Sequence, residues 1–255
     1  MIYDCFMFFD ELELLDLRLN YLSPIVDRFV LVESTKTHSL KDKSLFFEEN
    51  KHLFDKFLPK IEHVVVEDLI STDPWQNEIK QRNAIMRGLS KCSGEDIIVC
   101  SDCDEIPRIE SFSEFNDEGP FMGFVQSMYN YYFNGLTDTQ WCGSKICRYK
   151  SMTETSPNDF RWSCIENRFA IFNGGWHFSF IGTPERIAKK IQSFSHMERD
   201  IPEYTDLEKI QERMDNAVDP FSRPISLKYV PLDSSFPSYL LENRDKFKHL
   251  IKDVL

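Results

Sequence analysis

Apolar residues gather in short unbroken runs through the first hundred positions: Ile2 to Phe8, Arg28 to Glu33, His63 to Glu67 and Asp96 to Ser101. Such runs lack the alternation of a half-solvated strand and are too short for buried helices. They predict strands covered on both faces, as in a parallel sheet. Between them the period lengthens. A helix is expected from Asp10, a candidate cap, to Leu22, stopping before Pro24. Trp75, Ile79, Met86 and Leu89 recur at helical spacing and predict a helix from Trp75 to Leu89. Strand and helix therefore alternate, the pattern of an α/β fold whose mostly parallel central sheet carries helices on both faces.

The second half is less regular. Phe121 to Phe133 is rich in aromatics, and Lys145 to Tyr149 and Arg168 to Phe172 read as strands. A helix is expected to begin at Thr183 with Pro184 in its first turn and Ile187, Ile191 and Phe194 on its apolar face. Tyr239 to Leu255 reads as a closing amphipathic helix with a break near Asn243. No repeat, linker or low-complexity stretch divides the chain, so residues 1–255 are expected to form a single domain.

Composition narrows the function. A net charge of −12 argues against a nucleic-acid-binding surface, which needs clustered positive charge. No run approaches a membrane span, and Met1 to Phe9 lacks a basic leader, so a cytoplasmic location is expected. The 7 cysteines are odd in number and scattered, which suits a reducing compartment. Cys100 and Cys103 make a Cys-x-x-Cys, but Cys142 and Cys147 are spaced too widely to complete a zinc site.

Charge is concentrated where the fourth run ends. Ile97 to Cys100 breaks into Ser101, Asp102, Cys103, Asp104 and Glu105. Ligands of open α/β sheets bind beyond the carboxyl ends of the strands. An Asp-x-Asp there suits a divalent metal, Mn²⁺ or Mg²⁺, bridging to phosphate oxygens. An acidic surface loop is the alternative. Two cations interrupt apolar helix faces: Arg18 beside Leu14, Leu15 and Leu22, and Arg82 between Ile79 and Met86. Each needs a carboxylate or phosphate partner, and an internal salt bridge is the simpler account of Arg18. Gly174 and Gly175 permit close backbone approach or positive φ ahead of His177, which is either a further metal ligand or a hydrogen-bonded core histidine. Lys189, Lys190 and His196 follow on or near the next helix, where they could meet a diphosphate or form a solvated face.

Taken together, several segments resemble glycosyltransferase family 17. They are Tyr3 to Leu15, Val32 to His38, Gln81-Arg82-Asn83, Asp102 to Pro107, Gly175 to Ser179 and Tyr239 to Leu241, in order along nearly the whole chain. The family's Asp-Ala-Asp stands here as Asp102-Cys103-Asp104. The resemblance implies a GT-A fold, a single Rossmann-like domain with residues 1–107 as the nucleotide-binding half and 108–255 as the acceptor- and metal-completing half. It further implies a nucleotide-sugar donor (UDP-GlcNAc), Mn²⁺ as cofactor, a glycan acceptor and inversion at the anomeric carbon. On that footing Asp104 and His177 are expected to hold the metal, with Asp102 on the metal's water shell or the donor ribose. Arg82, Lys189, Lys190 and His196 are expected at the diphosphate and Glu33 at the uridine. The base is expected among Glu166, Asp159 and Glu185, with Glu166 first. The chain opens on its first strand, as expected of a catalytic domain without anchor or stem. A metal-dependent nucleotide-sugar hydrolase shares the acidic site. A non-catalytic sugar-nucleotide or glycan binder would instead use Tyr129, Tyr131, Tyr132 and Trp141 for stacking.

Overall fold

The four apolar runs of the first half form strands β1 (Ile2–Met7), β2 (Arg28–Ser34), β3 (Ile61–Val66) and β4 (Ile97–Asp102) in a computed structural model that describes residues 1–254. All three pairings among them are parallel, in the order β3-β2-β1-β4. Alternate side chains sort to opposite faces, as strand geometry requires. Phe6, Phe8, Phe29 and Leu31 pack against the Leu12–Leu22 helix, while Tyr3, Cys5, Val30 and Val32 pack against Ile85 and Leu89 on the other side.

Past residue 104 the expectation of one mostly parallel sheet fails. The remaining strands are β5 (Glu105–Pro107), β6 (Met122–Phe124), β7 (Gln126–Asn130), β8 (Gly135–Trp141), β9 (Lys145–Arg148), β10 (Ala170–Ile171), β11 (Gly175–Ser179) and β12 (Leu227–Tyr229). They complete two mixed sheets: a 7-stranded one ordered β10-β6-β9-β4-β1-β2-β3 and a 5-stranded one ordered β12-β8-β7-β11-β5. The reason lies in the connections. Tyr131 to Asn134 are all that separate β7 from β8. A parallel neighbour needs a crossover of a dozen or more residues, so these two pair antiparallel, and β9 also runs antiparallel to both β4 and β6.

Local chemistry corrects several element boundaries. Asp10 does not cap the first helix. Glu11 precedes it and accepts the Phe9 and Asp10 amides at 3.1 and 3.2 Å, while Asp10 pairs with Lys189. The expected Trp75–Leu89 helix is two pieces, Pro74–Asn83 and Ile85–Gly88, the first capped by Asp73. The closing segment breaks at Asn243 between Ser238–Glu242 and Arg244–Phe247. Among the described residues no helix is long and apolar enough to cross a membrane.

The glycine pair before His177 is structural. Gly175 has φ +139°, and a Cβ there would stand 2.2 Å from the Ile106 carbonyl oxygen. Gly174 would clash with the Ile171 carbonyl at 2.8 Å. That close approach lets β11 lie antiparallel to β5, with His177 opposite Glu105 and the Phe178 amide donating to the Asp104 carbonyl.

Candidate active site

A cleft of about 360 Å³ opens where the carboxyl ends of β1, β2 and β4 meet the second sheet. Met7, Ser34 and Asp102 reach it from the parallel strands, and Met128, Trp141 and His177 from β7, β8 and β11.

Its floor is an ion cluster. Asp102 lies between two guanidiniums, with Arg82 Nη1 at 2.5 Å from Oδ1 and Arg161 Nη2 at 2.7 Å from Oδ2. Arg161 also grips the wholly buried Glu105 at 2.6 and 2.7 Å, and Arg82 donates to Glu78 at 2.9 Å. Glu105 accepts in addition from the Trp141 indole N–H, the Ser144 hydroxyl and the Asp102 amide. Burial pushes the Glu105 carboxyl up, and Arg161 more than offsets it, leaving it well below the usual carboxylate range. Asp102 is lowered in the same way, by Arg161 and then Arg82 against its burial. Such charge-assisted, two-pronged pairing compensates burial where a lone carboxylate could not persist.

Asp104 is paired separately. Lys190 Nζ donates to its Oδ2 at 2.7 Å and stands 3.6 Å from Glu11. His177 Nε2 lies 3.7 Å from Asp104 Oδ1, beyond hydrogen-bond reach. Burial raises the Asp104 carboxyl, but Lys190 and His177 hold it far below its ordinary value. Lys190 moves the other way, because Asp104 and Glu11 outweigh burial and keep it charged. The buried His177 Nδ1 has no hydrogen-bond partner.

Of the expected residues, Arg82, Asp102, Asp104, His177, Lys190 and His196 line the cleft. Asp102, expected on the metal's water shell or the donor ribose, does not converge with Asp104 and His177. Asp102 turns to its arginines, and among the described residues no three His, Cys, Asp or Glu side chains are grouped to hold a metal ion. Asp104 and His177 do face one another as an oxygen and a nitrogen donor, a pair that fits a first-row divalent cation such as Mn²⁺ better than an all-oxygen Mg²⁺ site. Glu33 is not at the cleft. It is buried at the end of β2 against Lys43, His63 and the Phe47 amide, because the loop after β2 folds back over it. Lys189 points away to Asp10, one residue off the face that carries Lys190. The base candidates also miss the cleft. Glu166 is exposed and paired with Arg168, Asp159 is exposed and bonded to Ser156 beside its helix cap, and Glu185 is exposed in the first turn of the Pro184–Ile191 helix. Tyr129 and Tyr131 are buried in apolar clusters rather than offered to a sugar.

Arg18 forms the internal salt bridge. It is fully buried, bidentate to Asp4 at 2.6 and 2.7 Å, and donates to the Ser101 hydroxyl and the Asp102 and Glu105 carbonyls. The acidic turn is thereby pinned from beneath. Cys103 is buried, and its thiol is pushed well up by burial, so it offers the site no thiolate. Sequence reasoning missed Arg161 and Trp162 at one rim and His38 and Trp75 at the other. His38 is held between Gln81 and the Ser195 hydroxyl at 3.0 Å each, and burial lowers its basicity.

The profile of glycosyltransferase family 17 matches residues 1–253. A curated relative, the beta-1,4-mannosyl-glycoprotein 4-beta-N-acetylglucosaminyltransferase of Rattus norvegicus, is 25% identical over 288 aligned positions, covering 95% of this chain and 53% of that protein. The chain therefore spans about half the length of the relative it matches. Two solved structures are similar at low TM-scores. HddC from Yersinia pseudotuberculosis has a TM-score of 0.39 at 12% identity, covering 71% of this chain and 89% of that one. The inositol-1-phosphate CTP transferase from T. maritima has a TM-score of 0.37 at 13% identity, with 98% of each chain covered.

Proposed function

The chain belongs to glycosyltransferase family 17, and from that premise we propose that it moves N-acetylglucosamine from UDP-GlcNAc onto a glycan hydroxyl, on a GT-A type fold. The observation that carries this reading is the placement of Lys190, facing the cleft beside an Asp102 braced by Arg82 and Arg161, at the Asp102–Glu105 turn beyond the carboxyl ends of β1, β2 and β4. A diphosphate leaving group needs positive charge held ready in a water-poor cleft, and the crevice beyond parallel strands is where such ligands bind. The donor sugar follows from the activity named for the rat relative.

Lys190 meets the diphosphate as a permanent cation, since Asp104 and Glu11 keep it charged. Arg82 and Arg161 hold Asp102 at fixed orientation beside it. Asp104 and His177 would hold a divalent cation, Mn²⁺ or Mg²⁺, which would supply Lewis-acid charge to the leaving diphosphate. The acceptor hydroxyl enters from the second-sheet side and attacks the anomeric carbon in line as its bond to the UDP oxygen breaks with inversion. The hydroxyl proton passes to water at the open cleft mouth, because the Asp102, Asp104 and Glu105 carboxylates are held in ion pairs.

Calorimetric titration of UDP with Mn²⁺ and again with chelator tests the cation, and acceptor-dependent UDP release tests the transfer. Tighter binding with Mn²⁺ and UDP release that rises with acceptor are expected. UDP-sugar breakdown at the same rate with and without acceptor would instead identify a hydrolase.

A further inference from the structure

We propose that Trp162, backed by Trp141, is the platform on which a sugar ring of the acceptor stacks. This rests on the transferase reading and adds the residue that selects the acceptor. Trp162 closes the Pro157–Trp162 helix directly after Arg161. In that single step the chain passes from a guanidinium sunk in the ion cluster to an indole that is 53% exposed at the cleft mouth. Trp141 ends β8 on the same wall. The two ring centroids lie 6.4 Å apart with planes at 89°, so the indoles form a right-angled corner. Trp141 also lies over His177, centroid to centroid 5.4 Å at 40°, which sets the corner beside the Asp104–His177 pair.

The chemistry left over at this corner is specific. The Trp141 N–H is already given to Glu105, and the Arg161 guanidinium lies 5.7 Å from the Trp162 ring centroid with its charge spent on Asp102 and Glu105. What remains is open aromatic face at the edge of a polar cleft. A pyranose matches it, because its C–H face is apolar and its hydroxyls project around the rim. An exposed indole of this size loses apolar hydration only when a ligand covers it. The nucleotide belongs to the opposite wall, at the ends of β1, β2 and β4, where another exposed indole, Trp75, meets His196 edge to face at 4.6 Å.

The test compares wild type, W162A and W162F. Acceptor KM is measured in the transfer assay, UDP affinity by calorimetry, and direct sugar contact by saturation-transfer NMR with methyl β-D-mannopyranoside and N,N′-diacetylchitobiose. W162A should raise acceptor KM about tenfold and lose the sugar signal, W162F should keep most of both, and UDP affinity should stay within about twofold. Thermal melting confirms that each variant folds, as expected for an exposed side chain. Unchanged acceptor KM and sugar signal in W162A would overturn the proposal, and so would a collapse of UDP affinity, which would assign Trp162 to the donor. If the wild type transfers to no acceptor yet shows a sugar signal that W162A loses, the platform stands and the transferase reading fails. If the wild type shows neither transfer nor sugar contact, the platform is overturned.

Discussion

Arg161 is the side chain on which the site's charge balance turns. Among the described residues it is the cation whose side chain pairs with both the Asp102 and the Glu105 carboxylates, and Glu105 has no exposure through which water could replace it. Removing one partner of a buried ion pair strands the other, at about 3–5 kcal/mol. Arg161→Met is therefore expected to lower unfolding free energy by roughly that amount in urea titration and to abolish transfer. Arg161→Lys should rescue only part, since an ammonium cannot fork onto two carboxylates. The pH dependence follows in sign. Glu105 is depressed in the folded state, so its contribution is complete above the ordinary carboxylate pKa and is lost as pH falls toward the lowered folded value. Wild type should thus lose stability in mild acid more steeply than Arg161→Met, which has already forfeited that term. The carboxylates outside the cleft lead to the opposite expectation: Glu166→Gln, Asp159→Asn and Glu185→Gln should each transfer sugar at close to the wild-type rate in a UDP-release assay. At this scale the sequence displays Asp102, Asp104, His177, Arg82 and Lys190, because each breaks an apolar run or helical face. Arg161 has no such mark. Its carboxylate partners lie 56 and 59 residues away, and its own short helix has no period to violate.

Elements reach the site through two anchors. The Leu12–Leu22 helix is tied to β1 and to the turn after β4 by Arg18, which bonds Asp4 with one edge and the Asp102 and Glu105 carbonyls with the other. Arg18→Met should cost about 3–5 kcal/mol in chemical denaturation, and the double variant Arg18→Met/Asp4→Leu should recover much of it, because the stranded carboxylate is gone. A double variant no more stable than the single one would show that the carbonyl contacts matter more than the ion pair. The second anchor is the pairing of β5 with β11, which carries Glu105 on one strand, with Asp104 directly before it, and His177 on the other. Gly175→Ala forces a side chain at φ +139° against a carbonyl oxygen. A melting temperature several degrees lower is expected, with UDP affinity falling alongside it as His177 shifts. The first four strands were legible because their buried runs are unbroken. The second sheet was not, because its strands are short, one ladder is bulged between Ser127 and Tyr129, and their aromatics serve packing as readily as binding.

At the scale of the molecule, the division at residue 107 does not coincide with any division of the sheets. β6, β9 and β10 complete the sheet begun by β1 to β4, while β5 leaves the first half to pair with β11 in the second. Cutting there would bare the β4 edge, including the fully buried Ile98, Val99 and Cys100, and unpaired apolar edges template aggregation. A fragment of residues 1–107 is accordingly expected to stay unfolded or aggregate. The whole chain should melt in one calorimetric transition whose van't Hoff and calorimetric enthalpies agree. On the proposed reading UDP with Mn²⁺ would bind where both sheets meet, so it should raise that transition as a unit, by mass action on the native state. Two transitions, with only the earlier one moved by UDP, would show instead that the nucleotide wall and the acceptor wall fold as separate units. The cleft would then be an interface free to open, and the fixed placement of Trp141 over His177 would no longer follow from the fold.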